Sequence, residues 1–241
     1  MSSERPLGYD APLCWIPRNL DNSTASQIWA MSERWGPLQK QLLNFSFGRC
    51  AMLLVLREVV DGVAQGGVVS LKPRFLSGAM RGAFRPHDGH LYVVGSHGWS
   101  TSATREGSLQ RVRYTGKKAY LPTALHVRAN GIELRFSEPL ERETAEDTGS
   151  YAIEQWNYLY AKEYGSKEYS VAFPSEEGHD EVNIQSAKLL ADGRSVFLEI
   201  PDLKPVMQME IQYNLNAADG KTVRGEIYNT IHRLGAAKQI E

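Results

Sequence analysis

Apolar and polar positions along this chain alternate in short stretches, and long amphipathic helices are hard to find in it. Segments with β-type patterning, bounded by turn residues, recur at a spacing of roughly 8–12 residues. In Ile132, Glu133, Leu134, Arg135 and Phe136 apolar and charged side chains alternate strictly, as in a half-buried strand. In the first half the pattern predicts strands at 27–31, 41–47, 51–60, 67–71, 78–85, 90–95 and 109–114. In the second half it predicts strands at 124–128, 131–137, 151–160, 181–190, 195–200, 207–213 and 226–234. Asp61-Gly62 and Asp88-Gly89 are hairpin signals, and Asn130-Gly131, Asp192-Gly193 and Asp219-Gly220 read as further turns.

Residues 14–118 divide into two similar units, 14–72 and 73–118, each an antiparallel succession of short strands. Repeats near 50 residues point to propeller blades, and periodicity alone leaves a plain antiparallel sandwich equally open. Tyr120-Leu121-Pro122 reads as a linker. The seven strands after it match the count of an immunoglobulin-like sandwich. The predicted fold is all-β: two propeller-type four-stranded blades, a partial propeller over 12–118, then an immunoglobulin-like β-sandwich over 122–234. A flexible tail is expected at 235–241.

The composition fits that reading and narrows the partners. The chain has 241 residues, 42% of them apolar, and 27 Lys+Arg against 28 Asp+Glu give a net charge of −1. Such a balance offers no field for phosphate backbones, so nucleic acid is not an expected partner. The apolar run from Ala51 to Leu56 is far too short to cross a bilayer, and no membrane span is expected. The first residues carry no apolar signal region. The two cysteines, Cys14 and Cys50, are too few for a disulfide scaffold. No Cys-x-x-Cys-His motif is present for covalent haem.

The segments Phe75 to Gly82, Arg85 to Val94 and Leu109 to Gly116 resemble the last blades of quinoprotein sugar dehydrogenases of the glucose/sorbosone type. The shared pattern is an inner strand, an Asp-Gly turn, a Leu-Tyr-Val strand and an Arg-x-Arg-Tyr strand. With Gly95 to Trp99 and Gly131 to Leu140 added, residues 12–234 resemble the C-terminal part of large secreted bacterial proteins. Those proteins join such a propeller to cytochrome c or other haem-binding modules. The resemblance implies a periplasmic or secreted setting and a cytochrome c-type partner. It also implies pyrroloquinoline quinone with Ca2+ as cofactor, in the complete ring only. About two of six blades are present, and the family's catalytic histidine lies in earlier ones. No catalytic residue is therefore assigned, and the chain alone is not expected to oxidise sugars.

Strand direction sets the candidates. The start of a blade's first strand and the end of its second share one end of the blade. Arg49, Arg81, His97, Trp99 and Arg105 belong to that end, and the resemblance makes it the cofactor face. Arginine suits a carboxylated cofactor through bidentate hydrogen bonds, and tryptophan suits stacking. The bland alternatives are salt bridges between blades, solvated loops and packing. The same geometry brings Cys14 and Cys50 to one end, where a disulfide is conceivable. His87, Asp88 and His90, and the acidic segment 176–181, read as a turn and a solvated loop rather than metal sites. The aromatics Trp156, Tyr158, Tyr160, Tyr164 and Tyr169 are core or a sugar-stacking surface. An exposed platform at Trp156 and Tyr158 would mark a carbohydrate- or protein-binding structural module with no redox role.

Two blades cannot close a ring, so a bare apolar sheet face is expected. It calls for missing blades, self-association or cover from the sandwich. A third alternative is a truncated gene product that depends on an upstream chain.

Overall fold

Strand β3 (Ala51–Val60) opens with six consecutive buried residues before its alternation begins. A continuous apolar run of this kind needs cover on both faces of a sheet. In the computed structural model, which describes residues 8–161 and 165–239, both faces are covered. Met52, Leu54 and Leu56 enter the main core, while Leu53 and Val55 lie under the N-terminal segment through Leu13, Cys14, Ile16 and Leu20.

The first unit is an antiparallel meander of β1 (Thr24–Trp29), β2 (Leu42–Ser46), β3 and β4 (Val63–Arg74). A 3-10 turn at Glu33–Leu38 lies between β1 and β2. The β3–β4 hairpin turns at Asp61 and Gly62, both with positive φ. The second unit is β5 (Gly78–Phe84), β6 (Leu91–Ser96) and β7 (Gly107–Val112), a three-stranded sheet rather than the predicted four. After β7 the chain runs through Thr115 to Lys118, which carry no apolar side chain for a fourth strand to bury. β5 packs against β1 and β2, with Ala79, Leu91 and Val93 buried in the same core as Leu43 and Phe45.

The second half contributes β8 (Pro122–Arg128), β9 (Gly131–Phe136), β10 (Tyr151–Tyr158), the two-residue strands β11 (Glu168–Tyr169) and β12 (Asp180–Glu181), and β13 (Ser186–Leu189). β14 (Ser195–Glu199), β15 (Val206–Asn216) and β16 (Thr222–Ile231) complete it, with a five-residue helix α1 (Arg142–Glu146) before β10. One sheet runs β13-β14-β9-β8, and the other contains β16-β15-β10. Phe136 of the first meets Tyr213 of the second edge-on at 5.3 Å.

Strand pairing joins the two halves. β16 pairs with β4 through Tyr228–Val68, Asn229–Gly67 and Thr230–Gly66. The order β1-β2-β3-β4-β16-β15-β10-β11 is therefore one continuous sheet across the expected boundary near 120, and one apolar core spans both halves. The described residues 235–239 are hydrogen-bonded to the β8–β9 turn. Ala129 N–H donates to Gly235 O at 2.8 Å, and the Asn130 side chain exchanges two hydrogen bonds with the Lys238 backbone. The fold is all-β, built from several antiparallel sheets, none closed. No described helix is long and apolar enough to cross a membrane.

Candidate functional site

The loop ends that strand direction brings together do meet. Ser102 N–H donates to Gly48 O at 2.8 Å, and Asn22 Nδ2 donates to Ser100 O at 3.1 Å. The backbone N–H groups of Thr104 and Arg105 both donate to Leu76 O. The 47–50 turn is organised from below by Asp21, which accepts from Ser46 Oγ at 2.5 Å and from Ser23 N–H at 3.0 Å. Burial pushes the Asp21 carboxyl up, against the lowering pull of these donors and of Arg49. Ser46 Oγ in turn accepts the Arg49 N–H at 2.9 Å.

Above this turn lies a cleft of about 530 Å³ lined by Asn19, Arg49, Arg74, Ser102, Glu226 and Tyr228 among others. Arg49 reaches the Arg18 carbonyl with Nη2 at 3.3 Å, and its Nε is buried with no partner. Glu226 enters from the β16 side of the seam. Burial and the neighbouring Glu210 raise its carboxyl above the usual range. Burial likewise raises the Tyr228 phenol, with Glu210 and Glu226 adding to the shift. Two guanidinium groups beside hydroxyls suit a carboxylate or phosphate oxygen.

The five residues expected on the cofactor face are not gathered around one ligand. Arg49 lines this cleft. Trp99, 71% exposed, lines a separate hollow of about 440 Å³ with Cys14, Trp15 and Asp21. Arg81 is exposed and donates to the carbonyl of its neighbour Met80 at 2.9 Å. His97 and Arg105 are exposed on the loop, tied down by their backbones. Arg74, Glu226 and Tyr228 were not legible as partners of Arg49, because the β4–β16 pairing that assembles them is non-local.

Both cysteines are free thiols, so the disulfide is absent. Cys50 is buried at a turn position with φ 50, and Cys14 belongs to the segment covering Leu53 and Val55.

The aromatic strand is not an open platform. Trp156 is 2% exposed and is capped by the His179 ring, stacked at 3.9 Å and 7°. His179 Nδ1 lies 2.9 Å from Glu154 Oε2, and Nε2 lies 2.8 Å from Glu168 Oε2. Two carboxylate partners require both ring nitrogens to donate, which is the imidazolium form. Burial alone would lower the His179 pKa; the hydrogen bonds and charges of Glu154 and Glu168 outweigh it and raise it. Tyr158 is partly buried beside Trp15 at 5.7 Å. Tyr169 is partly buried on β11, and Tyr164 lies outside the described residues. The exposed rings here are Tyr9 and Tyr160, with centroids 5.5 Å apart.

Comparison with known families, with curated proteins and with solved structures finds no match to this chain. The fit to a quinone and Ca2+ therefore rests on the geometry. The residues present do not fit that pair. Arg49 and Trp99 line different cavities, and no group of three or more described His, Cys, Asp or Glu residues is placed to hold a metal ion.

Proposed function

We propose that this chain is a bracing module without chemistry of its own, the C-terminal portion of a blade-built protein of the quinoprotein dehydrogenase type. In this reading β1–β4 and β5–β7 are the last two blades of a longer ring. The second half is an immunoglobulin-like sandwich that locks them in place. The strand orders β8-β9-β14-β13 and β10-β15-β16 support the sandwich, because they are the ABED and CFG orders of such domains. Quinone, Ca2+, sugar or alcohol substrate and a cytochrome c-type partner belong to the complete protein in its periplasmic or secreted setting.

One observation carries the reading. On the face of β5–β7 turned away from β1 and β2, Val94 and Leu109 form a cross-strand pair that is 45% and 68% exposed. Arg81 is the partner of Val94 in the same row. Adjacent apolar residues left bare on a sheet face mark a surface built to be covered. The opposite face of the same sheet shows how: it packs on a neighbouring meander. Sedimentation equilibrium tests this. The isolated chain should self-associate in the micromolar range, and Val94→Lys with Leu109→Lys should make it monomeric. A wild-type chain that stays monomeric at high concentration, with this face open, would refute the propeller reading.

The second reading, a carbohydrate-binding module with no redox role, draws on the half-exposed Tyr9 and Tyr160 rings. It predicts sugar binding that is lost in Tyr9→Ala and unchanged in the lysine double variant.

A further inference from the structure

A third cavity, of about 770 Å³, lies where the two halves join, between β4, β15, β16 and the segment 112–121. Its lining includes the partly exposed apolar side chains of Leu38, Val112, Tyr120 and Leu121 and the buried Met52 and Val69. The lining also carries the exposed cations Lys72, Arg113, Lys117, Lys221 and Arg224. None of these five has an ion-pair partner among the described residues, whereas Lys118 beside them is held by Asp219 at 2.7 Å. In a chain whose net charge is −1, this is a local excess. Tyr213 also belongs to the lining; its hydroxyl makes no hydrogen bond among the described residues, and a Cβ at Gly225 would sit 2.5 Å from it. Glu226 is the single carboxylate in the lining, and it is the one whose burial favours the protonated form.

We propose that this cavity binds an amphipathic organic anion, an alkyl carboxylate whose chain lies along the partly exposed Leu38, Val112, Tyr120 and Leu121 and whose head group sits among the unpaired cations. An apolar hollow with a few convergent polar groups is the usual form of a small-molecule site, and its volume lies in the ~300–1,000 Å³ class of such sites. Charge complementarity selects the anion: a neutral chain of the same length would leave the cations unneutralised. The site draws on both halves and is independent of the bare face of β5–β7, so either proposal can fail alone.

The test is calorimetric titration of the full chain with dodecanoate below its micelle concentration, with dodecan-1-ol as the neutral probe. The methionine methyl groups are labelled so that Met52 reports the location. Expected are saturable 1:1 binding in the micromolar range, at least tenfold weaker binding of the alcohol, and a shifted Met52 methyl resonance. Lys221→Glu with Arg224→Glu should weaken dodecanoate at least tenfold. Lys117→Glu, on the loop, serves as the second variant if the strand variant does not fold. Absence of saturable binding, equal affinity for the alcohol, an unmoved Met52 methyl, or charge reversal without effect would each overturn the proposal.

Discussion

Glu58 Oε1 accepts the backbone N–H of Val127 at 3.1 Å, joining β3 to the edge of β8 across 69 positions of sequence. The same oxygen accepts from Gln65 Nε2 at 2.8 Å, and Oε2 lies 3.3 Å from His126 Nδ1. The carboxylate is buried while His126 is partly exposed, so the neutral donors matter more than the ion pair. Glu58→Ala strands the Val127 N–H and one Gln65 donor, and should cost about 2–4 kcal/mol. Glu58→Gln keeps an acceptor and should cost about 1 kcal/mol. Urea midpoints check this, and equal losses in the two variants would show that the hydrogen bonds are not what joins the strands.

The His179 clamp gives a pH dependence with a definite sign. Its folded pKa is raised above the ordinary 6.5 by Glu154 and Glu168. The stability it contributes is therefore fully present below 6.5 and is lost as pH rises through the folded value. The urea midpoint should fall from about pH 6 to about pH 8 in the wild-type chain, and His179→Gln should flatten that slope. An NMR titration of the imidazole reads the pKa directly. Glu154→Gln and Glu168→Gln should each lower it, and an unchanged pKa in both variants would remove the carboxylates as its cause.

The seam between β4 and β16 depends on close approach at Gly67, while Gly66 makes a close approach to β3 on the other side of β4. A Cβ at Gly66 would lie 1.9 Å from Leu56 O, and one at Gly67 would lie 2.7 Å from the Asn229 Cβ. Gly67→Ala should cost about 3 kcal/mol, the upper end of overpacking losses. Gly62→Ala, at φ 78 with nothing within 4 Å, should cost about 1–2 kcal/mol from backbone conformation alone. Amide exchange separates the causes: Gly67→Ala should deprotect Val68 and Tyr228 across the seam, and Gly62→Ala should leave both protected.

That seam also marks the limit of what the sequence discloses. The turns at Asp61-Gly62 and Asp219-Gly220, the alternation of Ile132 to Phe136 and the strand at 51–60 are local features. Each is present in the fold where the pattern places it. The convergence of Arg49 with the loop after β6 followed from antiparallel strand direction. The pairing of Tyr228 with Val68 has no local signature, so the chain read as two domains, and Arg74 and Glu226 could not be joined to Arg49. Trp156 sits correctly on an alternating strand, but its cover comes from His179, on an insertion whose folding back cannot be read from periodicity.

The cysteines offer the last test, because burial controls their reactivity. Burial pushes the Cys14 thiol up to about 12 and also raises Cys50, whose Sγ points at the Phe47 carbonyl at 4.0 Å. Only the thiolate attacks alkylating reagents, so the raised pKa keeps the reactive fraction at Cys14 low at pH 8. The folded chain should therefore label very slowly with iodoacetamide, and urea should release both thiols to rapid labelling. Intact mass after mild oxidation should still count two free thiols. Fast labelling of Cys14 in the folded chain would mean that the segment from Leu13 to Leu20 opens readily, and that the outer face of β3 is covered only part of the time.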